Sequence, residues 1–169
     1  EALDMINPYL DACNVDLKAF TESFYNSFCK ARLEPVLDSI RYMKELGLWI
    51  EITTLLIPDK NDSDEELDAI ACFIAEVDPH IPWHISRFRP EYRYTDSHAT
   101  TLAALRRARD IGISRGLRYV YLGNVVEGND TVCNSCGKRL ISRHYFSAQA
   151  EDIAGNVCPY CRAPVHGIF

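Results

Sequence analysis

The chain has 169 residues, 47% of them apolar, enough for one core plus a small appendage. Its formal charge of -6 and pI near 5.3 argue against a general nucleic-acid or anionic-membrane binder, which would present a basic surface. No apolar run reaches the length of a membrane helix, no secretory signal is visible, and seven cysteines in an odd, clustered set suit a reducing cytoplasm better than a secreted disulfide framework. The first residue is Glu1 rather than Met, so the chain is expected to be part of something longer.

Residues 1–13 predict a helix that ends before "NVDLKAF", a short strand. Leu33, Val36, Leu37, Ile40 and Met43 recur at helical spacing, and Gly47 supplies a stop. "LWIEITTLLIP" is rich in β-branched residues and closes at Pro58. The turn "DKND" leads to Ser63, with Glu66 three residues on, which predicts a capping box. The helix behind it carries Leu67, Ile70, Ala71, Ile74 and Val77. "WHISRF" is a third strand, followed by a polar loop to about His98. A helix over roughly 101–115 and a fourth strand in "LRYVYLGN" complete the series. Strands alternating with helices at this spacing predict an α/β fold with a parallel sheet. Four such strands cannot close the usual barrel of eight, so the expectation is an open sheet or a partial (half) TIM-type barrel of βα units over residues 1–124.

Alternation within the strands points to a cavity. Val15, Leu17 and Ala19 share one face, and Asn14, Asp16 and Lys18 share the other. Ile50, Ile52 and Leu56 share a face, with Glu51 and Thr53 opposite. A strand buried on both sides should be apolar throughout, and an unpaired buried charge costs several kcal/mol. Two arrangements answer this: the polar faces line a cavity, or Asp16, Lys18 and Glu51 are structural ion pairs at a sheet edge. In the third strand His84, Ser86 and Phe88 alternate with Trp83, Ile85, Arg87 and Arg89, and period alone does not orient it.

Residues 125–169 predict a separate four-cysteine module, a zinc ribbon or rubredoxin-like fold. Cys133 and Cys136 form one C-x2-C pair, Cys158 and Cys161 another, with 21 residues between them. Two such turns aim four thiolates at one metal, zinc or iron, and leave no open position for water, so the site is structural. A segment this short cannot bury enough apolar area to fold alone, and metal binding on the order of 10 kcal/mol substitutes for a core. Gly137 suits the turn after the first pair, whereas Arg162 at the matching place predicts a less regular second knuckle. Cys13, Cys29 and Cys72 lack partner spacing and are expected to be small buried apolar residues.

"NVDLKAF", "WIEITTLLIPDKNDSDEEL", "PWHISRFRPEY" and "LRYVYLGNV", followed by a C-x2-C-G knuckle, together resemble the AmmeMemoRadiSam-system radical SAM enzymes, relatives of the pyruvate formate-lyase activating enzymes. The resemblance covers nearly the whole chain and extends to the terminal "CPYCRAPVHGIF". It implies a partial TIM-type barrel and a [4Fe–4S] cluster held by a C-x3-C-x2-C motif in the N-terminal half. That cluster cleaves S-adenosylmethionine to a 5′-deoxyadenosyl radical, which abstracts a substrate hydrogen. No C-x3-C-x2-C occurs in this sequence, so the chain matches the second half of such a protein. Asp16 and Lys18 match the family's D-x-K contact to S-adenosylmethionine, and Arg89 stands where activating enzymes use a histidine. Glu51 and Thr53 join them as cofactor-binding candidates through strand alternation. The implied partners are a protein substrate and Memo-like and AMMECR-like proteins.

Three other functions fit parts of the sequence. One is a zinc-ribbon interaction module on a non-catalytic α/β scaffold, although Lys138, Arg139, Arg143 and Arg162 are offset by three acids and predict weak nucleic-acid binding. Another is a rubredoxin-like electron carrier. The last makes Lys18 a Schiff-base lysine in an aldolase-like barrel.

Overall fold

The computed structural model describes residues 1–95, 97–144, 147–151 and 153–167, so the last two residues of "CPYCRAPVHGIF" lie outside it. Four strands, β1 (Ala12–Asp16), β2 (Trp49–Leu56), β3 (Trp83–Arg87) and β4 (Val120–Gly123), form one parallel sheet in the order β1-β2-β3-β4. Helices α3 (Glu34–Glu45), α4 (Asp64–Val77) and α5 (Leu102–Ser114) fill the three crossovers. The sheet is open. Antiparallel strands β5 (Thr131–Val132), β6 (Arg139–His144) and β7 (Ser147–Ala150) make a second, small sheet.

The N-terminal helix is shorter than expected. It spans α1 (Ala2–Ile6) and a 3-10 turn (Asn7–Tyr9) containing Pro8, which has no amide to continue an α-helical ladder. A segment without a predicted element, residues 22–29, forms α2 (Glu22–Phe24) and then a π-helical turn (Tyr25–Cys29) closed by left-handed Lys30. Ser63 caps α4 by accepting the Glu66 amide at 3.2 Å. The reciprocal half of the box is absent: the Glu66 carboxylate takes the Phe20 amide instead, tying α4 to the chain beyond β1.

The core lies between one face of the sheet and the three helices. Ile50, Ile52 and Leu56 of β2 and Trp83 and Ile85 of β3 pack with Leu37 and Ile40, Leu67, Ile70 and Ile74, and Leu105 and Ala108. Each such aliphatic side chain contributes roughly 1.5–3 kcal/mol of burial. Gly112 lets α5 approach the sheet, since a Cβ there would meet the Trp83 ring at 3.0 Å. Cys13, Cys29 and Cys72 are half-buried rather than fully buried.

One polar group sits inside this apolar face. Thr54 is fully buried; its hydroxyl donates to the Leu17 carbonyl at 2.7 Å and accepts the Trp83 indole N–H at 2.9 Å. Thr54→Val keeps the shape and strands two buried partners. We expect a loss of about 2–4 kcal/mol, measured as a lower urea midpoint with unchanged slope.

Asp78, at the C-terminus of α4, pairs with Lys44 of α3 at 2.6 Å and accepts the His80 amide at 2.8 Å. Burial would raise its pKa, but the Lys44 and His80 bonds outweigh that and hold it at about 2. Because the folded value is depressed, its stabilisation of about 2 kcal/mol is present above pH 3.8 and disappears as pH falls through 2. Asp78→Asn should therefore lower stability at neutral pH and flatten the acid limb of the unfolding curve between those values.

Candidate functional site

The sheet face turned away from the helices is polar. It carries Asn14 and Asp16 from β1, Glu51 and Thr53 from β2, His84 and Ser86 from β3, and Tyr121 from β4. The register sets Asn14 beside Glu51, Asp16 beside Thr53, Thr53 beside His84, and His84 beside Tyr121. This settles the orientation of the third strand. Trp83 and Ile85 face the helices, and the Thr54–Trp83 hydrogen bond fixes that choice. Arg87 follows them to the core side, where its Nε donates to the Thr100 carbonyl at 2.8 Å.

The face divides into two ends. At the carboxyl ends of the strands, Lys18 and Asp16 form an ion pair at 2.7 Å, both about half exposed, and Thr53 donates to Asn14 Oδ1 at 3.0 Å. Because β1 stops at Asp16, the sheet ladder does not position Lys18. Its amide donates to the Tyr25 hydroxyl at 3.2 Å, which the π-helical turn presents. Its carbonyl accepts Asn61 Nδ2 at 2.6 Å. Asn61 is 1% exposed, also donates to the Leu55 carbonyl at 2.9 Å, and accepts the Ile57 amide at 2.7 Å. It clasps the ends of β1 and β2 together. Neither Tyr25 nor Asn61 was singled out in the sequence; an asparagine within the "DKND" turn was the available signal for Asn61. Arg89 lies beyond β3 and is exposed.

Glu51 belongs to the other end. It stands two residues below Thr53, about 7 Å along the strand. Asp16, Lys18, Thr53 and Glu51 thus share one face of the sheet, with Glu51 nearer its lower end. Glu51 pairs with His84 Nε2 at 2.7 Å and accepts the Trp49 indole N–H at 3.2 Å. The His84 hydrogen bond, aided by Trp49 and the Arg143 charge, holds its pKa below the usual carboxylate range despite burial.

The cysteine module packs against this lower end. The Thr131 and Tyr121 hydroxyls bond at 2.8 Å, the Arg143 guanidinium lies 5.2 Å from the Tyr121 ring centre, and the His166 amide donates to the Tyr119 hydroxyl at 3.3 Å. The His80 and His166 rings stack at 3.6 Å. Between sheet and module lies a cavity of about 440 Å³, lined by Glu51, His84, Tyr121, Thr131 and Arg143 among others.

The four sulfurs of Cys133, Cys136, Cys158 and Cys161 all lie within 4.8 Å of one another, at 3.6 Å for Cys133–Cys161 and 3.8 Å for Cys136–Cys158. A tetrahedron with metal–sulfur bonds of 2.3 Å has edges of about 3.8 Å. The site therefore has the dimensions of a single tetrathiolate ion; a multi-iron cluster needs its thiolates further apart. The two knuckles match. In the first, Cys133 N donates to Lys138 O at 2.8 Å and Gly137 N to Cys133 O at 2.8 Å. In the second, Cys158 N donates to Ala163 O at 2.8 Å and Arg162 N to Cys158 O at 2.9 Å. The second knuckle is thus as regular as the first, contrary to expectation: Arg162 adopts the left-handed conformation, φ 62, that Gly137 takes at φ 70. Backbone amides of Cys136 and Ser135 pull Cys133 down to about 7. The Lys138 amide acts likewise on Cys136, but desolvation and the three neighbouring thiols push that group up to about 12. Four cysteines at this distance could hold one metal ion, which would favour their thiolate forms.

No family model matches the chain. It is 41% identical over 157 residues to an uncharacterized protein, MJ0808, of Methanocaldococcus jannaschii, a match covering 90% of this chain and 47% of that one. The chain thus spans about half the length of the curated relative it matches. Among solved structures it is similar to a domain of the pyruvate-formate lyase-activating enzyme of Bacteroides vulgatus, with a TM-score of 0.64 and 19% identity over 72% of this chain and 73% of that one. It is also similar to a radical SAM methyltransferase of Sphaerobacter thermophilus, with a TM-score of 0.61 and 17% identity over 82% of this chain and 41% of that one. The fold is shared with these two proteins.

The metal centre is directly testable. The protein should bind one divalent ion per chain, and cobalt substitution should give the intense thiolate-to-metal absorption of a tetrahedral site. Cys158→Ser should abolish that spectrum. Chelation should remove amide protection from β5–β7 while β1–β4 keep theirs.

Proposed function

We propose that this chain is the C-terminal portion of a radical SAM enzyme related to the activating enzymes, with residues 1–124 forming part of its barrel and residues 125–169 its metal-bearing module. The observation that carries the proposal is the Asp16–Lys18 pair at the carboxyl end of a parallel βα sheet, the end at which barrels of this type place their sites. The pair suits S-adenosylmethionine: a carboxylate recognises ribose hydroxyls or an ammonium, and a lysine recognises the methionyl carboxylate. Both side chains are open to a ligand, and Asn61 and Tyr25 hold the Lys18 backbone without occupying its ammonium.

This chain's residues do not fit a [4Fe–4S] cluster. The sequence lacks C-x3-C-x2-C, and the four late cysteines sit too close together and at the opposite end of the sheet. The proposal therefore assigns the cluster ligands to other parts of the whole protein. Reductive cleavage of S-adenosylmethionine and hydrogen abstraction are the chemistry it gives to that protein. A protein substrate and Memo-like or AMMECR-like partners belong to the same proposal, through the family resemblance, as does a cytoplasmic location. No helix among the described residues is long and apolar enough to cross a membrane.

The test uses the full-length protein with its iron–sulfur cluster reconstituted anaerobically. Under reductant it should convert S-adenosylmethionine to 5′-deoxyadenosine. Asp16→Asn and Lys18→Met should each lower kcat/KM about 10–100-fold, the value of one charge-assisted hydrogen bond. A cluster-loaded protein that forms no 5′-deoxyadenosine would sink the proposal, as would cleavage by residues 1–169 alone.

A further inference from the structure

We propose that the cavity between the sheet and the cysteine module binds a small organic monocarboxylate, with Arg143 receiving the carboxylate. The inference stands on side chains of this chain and does not depend on radical SAM chemistry.

Arg143 is the reason. Six of the other twelve arginines, Arg41, Arg106, Arg107, Arg109, Arg115 and Arg139, each have a carboxylate within 4 Å. Arg143 is half-buried, and no described carboxylate lies that close to its guanidinium. Neutral groups hold it instead: Nη1 donates to the Asn129 carbonyl at 2.9 Å and to Thr131 Oγ1 at 2.6 Å, and the guanidinium lies against the Tyr121 ring. Both bonds use Nη1, and among the described residues Nη2 and Nε make no hydrogen bond, so the planar fork can take a further acceptor. A cation held by neutral groups beside a cavity, with no carboxylate of the described residues in direct contact with its guanidinium, is a preorganised anion site.

Glu51 feels the Arg143 charge but makes no direct ion pair with it. Its two oxygens are engaged by His84 and Trp49. It does shape the choice of ligand. A carboxylate fixed on the same cavity wall disfavours a dianion such as phosphate more than a single negative charge. The planar arginine fork also matches a carboxylate in two parallel hydrogen bonds. The rest of the lining, Trp49, Tyr119, Tyr121, Leu122, Ile141 and Val165, offers rings and aliphatic groups to the body of the ligand. A volume of about 440 Å³ lies in the small-molecule range.

Benzoate is the probe, titrated calorimetrically into the full-length, metal-loaded protein, with benzamide as its uncharged counterpart and inorganic phosphate as a second control. We expect benzoate to bind in the millimolar range or tighter. Benzamide and phosphate should bind about tenfold more weakly or not at all, and Arg143→Gln should cost benzoate about tenfold. Glu51→Gln should act in the opposite direction and tighten benzoate several-fold, because it removes a repelling charge; simple disruption of the fold would not do this. Three results overturn the proposal: no benzoate binding at tens of millimolar, equal affinity for benzoate and benzamide, or unchanged affinity in Arg143→Gln. If Arg143→Gln fails to fold, the Glu51→Gln arm decides, and failure to tighten benzoate rejects the site.

Discussion

A parallel sheet with helices on one face only has to make the other face tolerable. Parallel strands are normally covered on both sides and apolar throughout. Here α3, α4 and α5 cover one face, and β2 alternates buried and half-buried residues along its whole length. The uncovered face is built from side chains that satisfy one another across strands: Asn14 with Thr53, Glu51 with His84, and Asp16 with Lys18 two residues on. Among the described residues, no buried side-chain nitrogen or oxygen lacks a partner. Even the one hydroxyl on the apolar face, Thr54, serves two partners, and in doing so sets which way β3 faces.

The cysteine module answers the same constraint at the lower end of that face. Its own core is small: Cys133, Leu140, Cys158 and Val165. So few buried side chains cannot hold three short strands together, and a metal ion at the four cysteines would supply what the core lacks. Such an ion would also fix the segments that touch the sheet. Thr131 is two residues from Cys133, and β6, which carries Arg143, pairs with β5. Order at the sulfurs is thereby transmitted to the wall of the cavity beside Glu51 and His84.

Much of this was legible in the sequence, and the remainder has identifiable physical causes. Period 3.6 located α3 and α4, and period 2 located the polar face of β2, because one-sided burial writes those periods directly. The cysteine spacing predicted the tetrathiolate site, since two C-x2-C turns have few other uses. "WHISRF" stayed ambiguous because both of its faces mix apolar and polar residues, and only the Thr54 contact breaks the tie. The grouping of Glu51 with Asp16 required register, which alternation does not contain. Arg143 reaches Thr131 12 positions back and Asn61 reaches Lys18 43 positions back, and those long-range contacts are not contained in any local pattern, although the turn at Asn61 is. Arg162 hid the regularity of its knuckle because a left-handed residue is ordinarily expected to be glycine.

The two ends of the polar face therefore differ in kind. At the carboxyl ends of the strands the charges are paired but half exposed, and the backbone that carries them is clasped by Asn61 and Tyr25 rather than by the ladder. Such an arrangement keeps Asp16 and Lys18 solvated and able to exchange each other for a ligand at little desolvation cost. At the lower end the module packs against the face, and Glu51 and His84 are less exposed than Asp16 and Lys18. A charge there is worth more and must be matched more closely, which is why Glu51 has two donors and Arg143 three neutral neighbours. A fold that leaves one sheet face uncovered thus produces an adaptable site at its rim and a selective one at its base, from the same strands.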